Sequence, residues 1–379
     1  MKKYKESAYL IIFDSVRFVR GYTKSTICDI SRRKSIIIPN SLYDFCRKNN
    51  RKLIGKTKSY YKDDETVNEY IDFLVEKEFA FIGTQHDVSH FSSMNTEWDY
   101  PATITNAIIE NSVINLTNID SITNQMNELQ VEALEFNSFN SQICIDELDK
   151  LVSVLKTIDS LRYLKMQIKY VESITTIEIM SDFIINHPFI QTLVVFSSPF
   201  SYDAGNNSLF FIRQELNIQS CGVVGKEYFI LSLPFFTESQ AHNTCLNRKL
   251  CIDANGTIKN CPATRHSFGN ILDTTLKDAI EKKGFKDLWF VHKEQIDVCK
   301  NCEFRHVCPD CRCFIKDKDN IYSQPTKCQY NPYISKWNGE VGYVSVEECG
   351  KYSKETGFVP DVRKIEAINK QIWGGGDNE

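Results

Sequence analysis

The chain has 379 residues, 42% of them hydrophobic and 12% aromatic, with a formal net charge of −4. That supplies ample core, and the length suggests two or three domains. No basic stripe alternates with aromatics, which argues against a nucleic-acid partner. An early apolar run, residues 8–13, stops at Asp14 and Arg17 without a small-residue cleavage site. It is too short for a signal core or a membrane span, so a cytoplasmic protein with no membrane partner is expected.

In chain order, residues 1–85 read as a small α+β unit. Residues 19–30 and 35–39 read as strands about the polar turn Ser31-Arg32-Arg33-Lys34. A helix follows over 41–49, started by Pro39 and Asn40, and another from Asp64 to Glu76 with Val67, Tyr70, Ile71, Leu74 and Val75 at helical spacing. Residues 79–82 close the unit as a strand, giving the order of a winged-helix-like module. His86 and His90 flank Asp87 in a His-x3-His spacing, but no third ligand follows and Asp87-Val88-Ser89 reads as loop.

Residues 86–240 carry strand–helix alternation. Strands are expected at 104–110, 131–137, 163–170 and 191–197, their starts roughly 30 residues apart, as one βα unit each requires. Helices are expected at 145–161 and 174–187, and 210–216 and 228–233 could be further strands. The class is α/β, with a partial parallel (β/α) barrel-like domain, because four units are too few for a closed eightfold barrel. Residues 241–345 form a cysteine-rich domain. The tail, 346–379, has one helix at 363–373 and the end Gly374-Gly375-Gly376-Asp377, whose composition is that of unordered chain.

The 14 cysteines are distributed unevenly. Cys28, Cys46, Cys144 and Cys221 precede residue 240; the rest lie between Cys245 and Cys349. In a reducing compartment such a segment binds metal more readily than it forms disulfides. One group is Cys245-x5-Cys251-x9-Cys261, with Asn255-Gly256 as a hairpin signal between Cys251 and Cys261. The other is Cys299-x2-Cys302-x5-Cys308-x2-Cys311, with Cys313 close by and Cys328 beyond. Paired thiolates suit iron–sulfur clusters, and zinc is the alternative occupant on spacing alone. His242 and His266 flank the first group and read as solvated loop residues. Cys221, Cys313 and Cys349 read as buried or spare thiols. Phe285, Trp289 and Phe290 read as core between the two groups.

Together, Cys245, Cys251, Gly256, Cys261, Cys299, Cys302, Cys308 and Cys328 resemble the SPASM domain that follows many radical S-adenosylmethionine enzymes acting on peptides. The resemblance implies two auxiliary [4Fe–4S] clusters. One would use Cys245, Cys251, Cys261 and Cys311, with Cys313 as a possible alternative ligand; the other would use Cys299, Cys302, Cys308 and Cys328. Sharing of the late cysteines would make the fold depend on the metal. Before Cys245 there is no Cys-x3-Cys-x2-Cys, which argues against reductive cleavage of S-adenosylmethionine by this chain alone. A SPASM protein of this length without that signature resembles the SPASM-domain peptide maturases of grasp-with-spasm systems. The segments Arg20-Gly21-Tyr22-Thr23-Lys24-Ser25-Thr26-Ile27-Cys28-Asp29, Ile38-Pro39-Asn40-Ser41-Leu42 and Lys327-Cys328-Gln329-Tyr330-Asn331-Pro332-Tyr333 carry that likeness. It implies maturation of a ribosomally made peptide, with a precursor (leader) peptide and an ATP-grasp ligase as partners. The N-terminal order also resembles precursor-recognition modules, which add a leader peptide to a sheet edge. Val19, Tyr22, Ser25 and Ile27 mark the candidate edge strand. The alternative is a non-catalytic peptide-binding adaptor with structural iron–sulfur or zinc sites.

Overall fold

The structure is a computed structural model and describes residues 4–91, 93–206 and 208–374. Of the glycine-rich end only Gly374 falls within them.

The N-terminal unit holds β1 (Tyr9–Ile12), β2 (Val16–Arg20), β3 (Lys24–Asp29), β4 (Lys34–Pro39), α1 (Asn40–Asn49), β5 (Lys52–Leu53), α2 (Ile54–Tyr61), α3 (Asp64–Glu76), β6 (Ala80–Gly83) and α4 (Gln85–His90). They form two antiparallel three-stranded sheets, ordered β5-β1-β6 and β2-β3-β4. The apolar run at 8–13 is thus the central strand of the first sheet. Helix α3 begins where expected, because the Asp63 carboxylate accepts from the Thr66 N–H at 3.1 Å. Its Val67, Ile71 and Leu74 are buried against β1 and α1 in one apolar cluster.

Two expectations are corrected here. Residues 19–30 are not one edge strand but parts of β2 and β3. Ser25 and Ile27 lie on β3, which is paired on both sides, Ile27 with Phe18 and with Ile36. Val19 is buried among Cys28 and Phe304, and the Tyr22 N–H in the turn donates to the Asn301 carbonyl at 2.8 Å. Tyr22, Ser25 and Ile27 offer no free edge; Val19 lies on the edge strand β2 with its side chain buried, and the open edges of this sheet are β2 and β4. Residues 85–90 are a helix rather than loop, because Thr84 and Asp87 form a reciprocal capping box.

The middle of the chain holds β7 (Asn106–Glu110), α5 (Val113–Thr117), α6 (Ile119–Glu128), β8 (Ala133–Ser138), α7 (Ile145–Leu155), β9 (Tyr163–Lys169), α8 (Ile177–Asn186), β10 (Thr192–Phe196), β11 (Tyr202–Asp203) and β12 (Leu209–Phe211). Then come α9 (Leu233–Glu238), β13 (Lys249–Ile252) and β14 (Ile258–Lys259). Residues 228–233 do not form a strand: Ser232 caps α9, with Pro234 in its first turn. The main sheet has eight strands ordered β11-β12-β10-β9-β8-β7-β13-β14, parallel from β12 to β13 with one antiparallel strand at each edge. It is open, like part of a barrel. β13 carries Cys251, so the first cysteine hairpin is itself part of the sheet. Leu134, Phe136, Leu164 and Met166 face a core shared with α6, α7 and α8. Across the sheet, Cys251, Ile108, Glu135 and Lys165 stand in one register row. Residues alternate between faces along a strand, so these four share the face opposite that core.

The rest of the chain has α10 (Leu276–Glu281), β15 (Tyr330–Asn331), β16 (Lys336–Trp337), β17 (Gly350–Ser353), β18 (Gly357–Pro360) and α11 (Val362–Trp373). The β2–β3 hairpin is seated on it. Val19, Cys28 and Ile30 pack with Phe304, Val307 and Tyr330. A Cβ on Gly21 would stand 2.5 Å from the Lys24 carbonyl and 2.7 Å from the Glu303 carboxylate, so this approach requires glycine. No described helix is long and apolar enough to cross a membrane.

Candidate metal centre

The thiols from Cys245 onward gather into two sets, with Cys349 apart among Asn331 and Val346. The second set is the simpler. Cys299, Cys302, Cys308 and Cys328 line one cavity, walled by Lys293, Phe304 and Trp337 among others. Cys299 opens a single 3-10 turn, 299–301, that brings Cys302 round to it: the Cys302 N–H donates to the Cys299 carbonyl at 2.9 Å. The preceding residue, Val298, has φ 66, which costs a β-branched side chain about 1–3 kcal/mol. The Phe304 N–H donates to Cys302 Sγ at 3.4 Å, and Lys293 Nζ stands 3.1 Å from Cys308 Sγ. Burial pushes the Cys299 thiol up to about 12 and raises Cys302 and Cys328 as well. Ligation here would displace protons.

The first set is built on the β13–β14 hairpin. Cys251 pairs with Lys259 in its register, so Cys261, two residues beyond, lies on the same face as Cys251. The turn is fixed by Asp253, whose carboxylate accepts from the N–H groups of Asn255 and Thr257 at 2.9 and 3.0 Å; Gly256 has φ 73. Cys313 lies against both Cys261 and Cys311, and interaction among the three lowers Cys261 and Cys311 and raises Cys313. Cys311 and Cys313 thus both reach Cys261. Cys245 stands 3.7 Å from Lys249 Nζ, and Gly222 presses on the other side, where a Cβ would lie 2.9 Å from Cys311 Sγ.

Sequence reasoning missed four supporting residues. Asn243, fully buried, accepts from the N–H groups of Cys245 and Leu246 at 3.0 and 2.8 Å and donates to the Asp310 carboxylate at 2.7 Å. It therefore clasps the Cys245 loop to the Cys308–Cys311 turn that joins the two sets. Asp310 also meets Arg312 at 2.7 Å. Lys293 and Lys249 are the other two of the four. Burial alone would push both ammonium groups down, yet the charges of Cys308 and Cys299 hold Lys293 up, and those of Cys245, Cys261 and Glu135 hold Lys249 up. Lys293 is 5% exposed, and its hydrogen bond runs to a sulfur. A buried cation facing sulfur calls for negative charge at the thiols. None of these contacts has a local sequence signature.

The donor chemistry fits iron–sulfur groups: all-thiol sets, buried cations and an N–H directed at sulfur. Among the described residues, no three His, Cys, Asp or Glu side chains converge as ligands of one ion. The four thiols of the second set instead ring a space, and every cysteine is free of disulfides. His86 and His90 stack at 3.8 Å on the exposed face of α4, with no third donor among the described residues. His242 packs against Trp98 and Phe290, and His266 against Phe268.

One hydrogen-bonded chain suggests a nucleophile and fails as one. Ser239 Oγ lies 3.1 Å from His306 Nδ1, and His306 Nε2 lies 3.0 Å from Glu294 Oε1. Ser239 is 2% exposed and donates to the Phe236 carbonyl at 2.7 Å, so its hydroxyl is committed to ending α9. The chain is a brace between α9 and the second thiol set. His306 and then Arg305 hold Glu294 down to about 2.

Residues 244–303 match the SPASM iron–sulfur cluster-binding domain. The match takes in Cys245, Cys251, Cys261, Cys299 and Cys302 and stops before Cys308. The SPASM segment therefore spans the β13–β14 hairpin and the opening turn of the second set. No curated protein matches the chain. Among solved structures, it aligns with SuiB of Streptococcus suis bound to S-adenosylmethionine, at 12% identity, covering 84% of this chain and 100% of the other with a TM-score of 0.31. SuiB bound to precursor peptide SuiA aligns at 11% identity with the same coverages and a TM-score of 0.29. Superposition this loose carries no argument about this chain, and the SPASM match stands on its own.

Proposed function

We propose that this chain is a maturation protein for a ribosomally made peptide, of the grasp-with-spasm kind. It would hold two [4Fe–4S] clusters, one on Cys245, Cys251, Cys261 and Cys311 or Cys313, the other on Cys299, Cys302, Cys308 and Cys328. The observation that carries the cluster reading is the pair of separate thiol sets, each with a lysine against sulfur. Bound there, the clusters would supply electron transfer or a structural pin. The chain's own residues do the rest. Lys293 and Lys249 offset anionic sulfur, Asn243 and Asp310 fix the turn between the sets, and Gly222 leaves room for Cys311.

We read the N-terminal unit as a winged-helix-like precursor-recognition module, with the ATP-grasp ligase as the other partner. Its support is the open β4 edge, where Ile37 is exposed beside the cysteine-rich part. One observation favours the adaptor as a second reading. The end of β7 and the helix α5 after it bear Glu110, Asn111 and Asn115, buried polar residues rather than a cluster-binding cysteine triplet.

The deciding experiment measures iron, zinc and acid-labile sulfide on anaerobically purified protein, with electron paramagnetic resonance after reduction. About eight irons with matching sulfide per chain are expected for two four-iron clusters. About two zincs with little sulfide would end the redox reading. Capture of precursor and ligase by wild-type and Cys302→Ser chains separates maturase from adaptor. Loss of product with the complex intact indicates chemistry at the cluster; loss of both indicates a scaffold.

A further inference from the structure

A groove of about 290 Å³ runs between the end of β4, β16 and the end of α11. Its walls are Lys24, Ile37, Tyr330, Trp337 and Trp373. Lys24 Nζ stands 3.4 Å and Lys336 Nζ 4.4 Å from the centroid of one ring, that of Trp373. Two ammonium groups on one indole repel each other. Two acids lie nearby, Glu340 in the lining itself and Glu303, whose charge acts on Lys24. Glu340 meets Lys226 at 3.5 Å and accepts from the Trp337 N–H at 3.0 Å. Glu303 lies beneath the floor, bound by the Tyr330 hydroxyl and by Ser335 at 2.8 Å. Among the described residues, neither Lys24 nor Lys336 makes an ion pair with a carboxylate. The groove thus presents Lys24 beside the Lys226–Glu340 pair, with Lys336 against the same Trp373 wall, and adds aromatic walls and an exposed isoleucine at an open strand edge. That combination is complementary to an extended apolar peptide bearing one acidic side chain.

We propose that this groove binds a carboxylate side chain of a peptide between Lys24 and Lys336, with the peptide backbone along the β4 edge. The inference deepens the peptide-maturation reading and rests on it for the class of ligand. Tyr330 and Trp337 line this groove and also the cavity of the second thiol set. An acidic residue held here would lie one aromatic layer from that set.

The test is calorimetric, on the full iron-loaded chain with acetyl-Val-Thr-Glu-Thr-Val-amide and its Gln twin. Asp377→Asn and Glu379→Gln are included in every sample, so that acids of the chain's own end cannot compete. The Glu peptide is expected to bind roughly tenfold more tightly than the Gln peptide, the scale of one charge-assisted contact. The preference should shrink between about 50 and 500 mM salt. Lys24→Met with Lys336→Met should abolish it, Lys24→Arg with Lys336→Arg should retain it, and exposed Lys283→Met should leave it unchanged. Equal binding of the two peptides, or a preference that survives the double Met variant, overturns the proposal. Iron and sulfide are assayed on the same samples. A lysine-dependent preference in chains lacking both would keep the groove and end the cluster reading.

Discussion

At the scale of single residues, the informative groups are those that touch sulfur without being cysteine. Lys293 places a buried positive charge 3.1 Å from Cys308. Removing it should disfavour the more negative, reduced form of the cluster proposed at the second thiol set. Lys293→Met is expected to lower one of two reduction potentials by at least ~60 mV, tenfold for a one-electron couple, read by redox titration with paramagnetic resonance. An unchanged pair of potentials would remove Lys293 from that role. Asn243→Ala leaves the Asp310 carboxylate and two N–H groups short of partners, at a cost of about 2–3 kcal/mol. Iron should fall from about eight to about four per chain, with the first set emptied. For pH dependence, His242 is held below the usual imidazole range by burial and then by Arg248 and His292. Its unfolded form takes up a proton more readily, so its contribution is full above an unfolded value of ~6.5 and declines as pH falls. The thermal midpoint should drop from pH 7.5 to 5.5, and His242→Phe should make that slope shallower.

At the scale of elements, legibility followed how local each signal is. The Cys299–Cys302 pair and the Asn255-Gly256 hairpin were readable because a few consecutive residues fix both. The four parallel strands were readable from apolar runs. Asp87-Val88-Ser89 reads as loop, although Thr84 and Asp87 announce a helix start. Apolar content makes 228–233 a strand candidate, which Pro234 in the first turn of α9 rules out. No local pattern could reveal that β13 joins β7, or that Cys311 and Cys313 both reach Cys261, since long-range packing sets both. The Gly222 contact is of the same kind. At φ 76, with a Cβ that would stand 2.9 Å from Cys311 Sγ, Gly222→Ala should lower iron at the first set and leave the second set's spectrum intact. Loss of both signals together would mean the two sets are not separable.

At the scale of the whole molecule, the N-terminal unit is fastened to the cysteine-rich part through the β2–β3 hairpin, its strands and its turn. The Tyr22 N–H donates to Asn301, inside the Cys299–Cys302 turn, and the Tyr22 ring packs on Tyr333 at 4.9 Å. Order in the second thiol set should therefore reach the N-terminal unit. Stripping iron with a chelator is expected to speed amide hydrogen exchange in β2, β3 and the turn between them, with β8 and β9 little changed. Uniform acceleration across the chain would instead indicate global unfolding.

The pairing of β13 with β7 also dictates an order of events during synthesis. Lys249 sits opposite Asn106, about 140 positions earlier in the chain. At the ~5–20 residues per second of a ribosome, β7 waits on the order of ten seconds for its neighbour. Until then it shows bare backbone on one side, a template for the wrong strand. Cys311 and Cys328 emerge later still, so neither thiol set is complete until the sheet can already be closed. Iron delivered early would find partial sites only, and iron delivered late would find a scaffold ready to be locked.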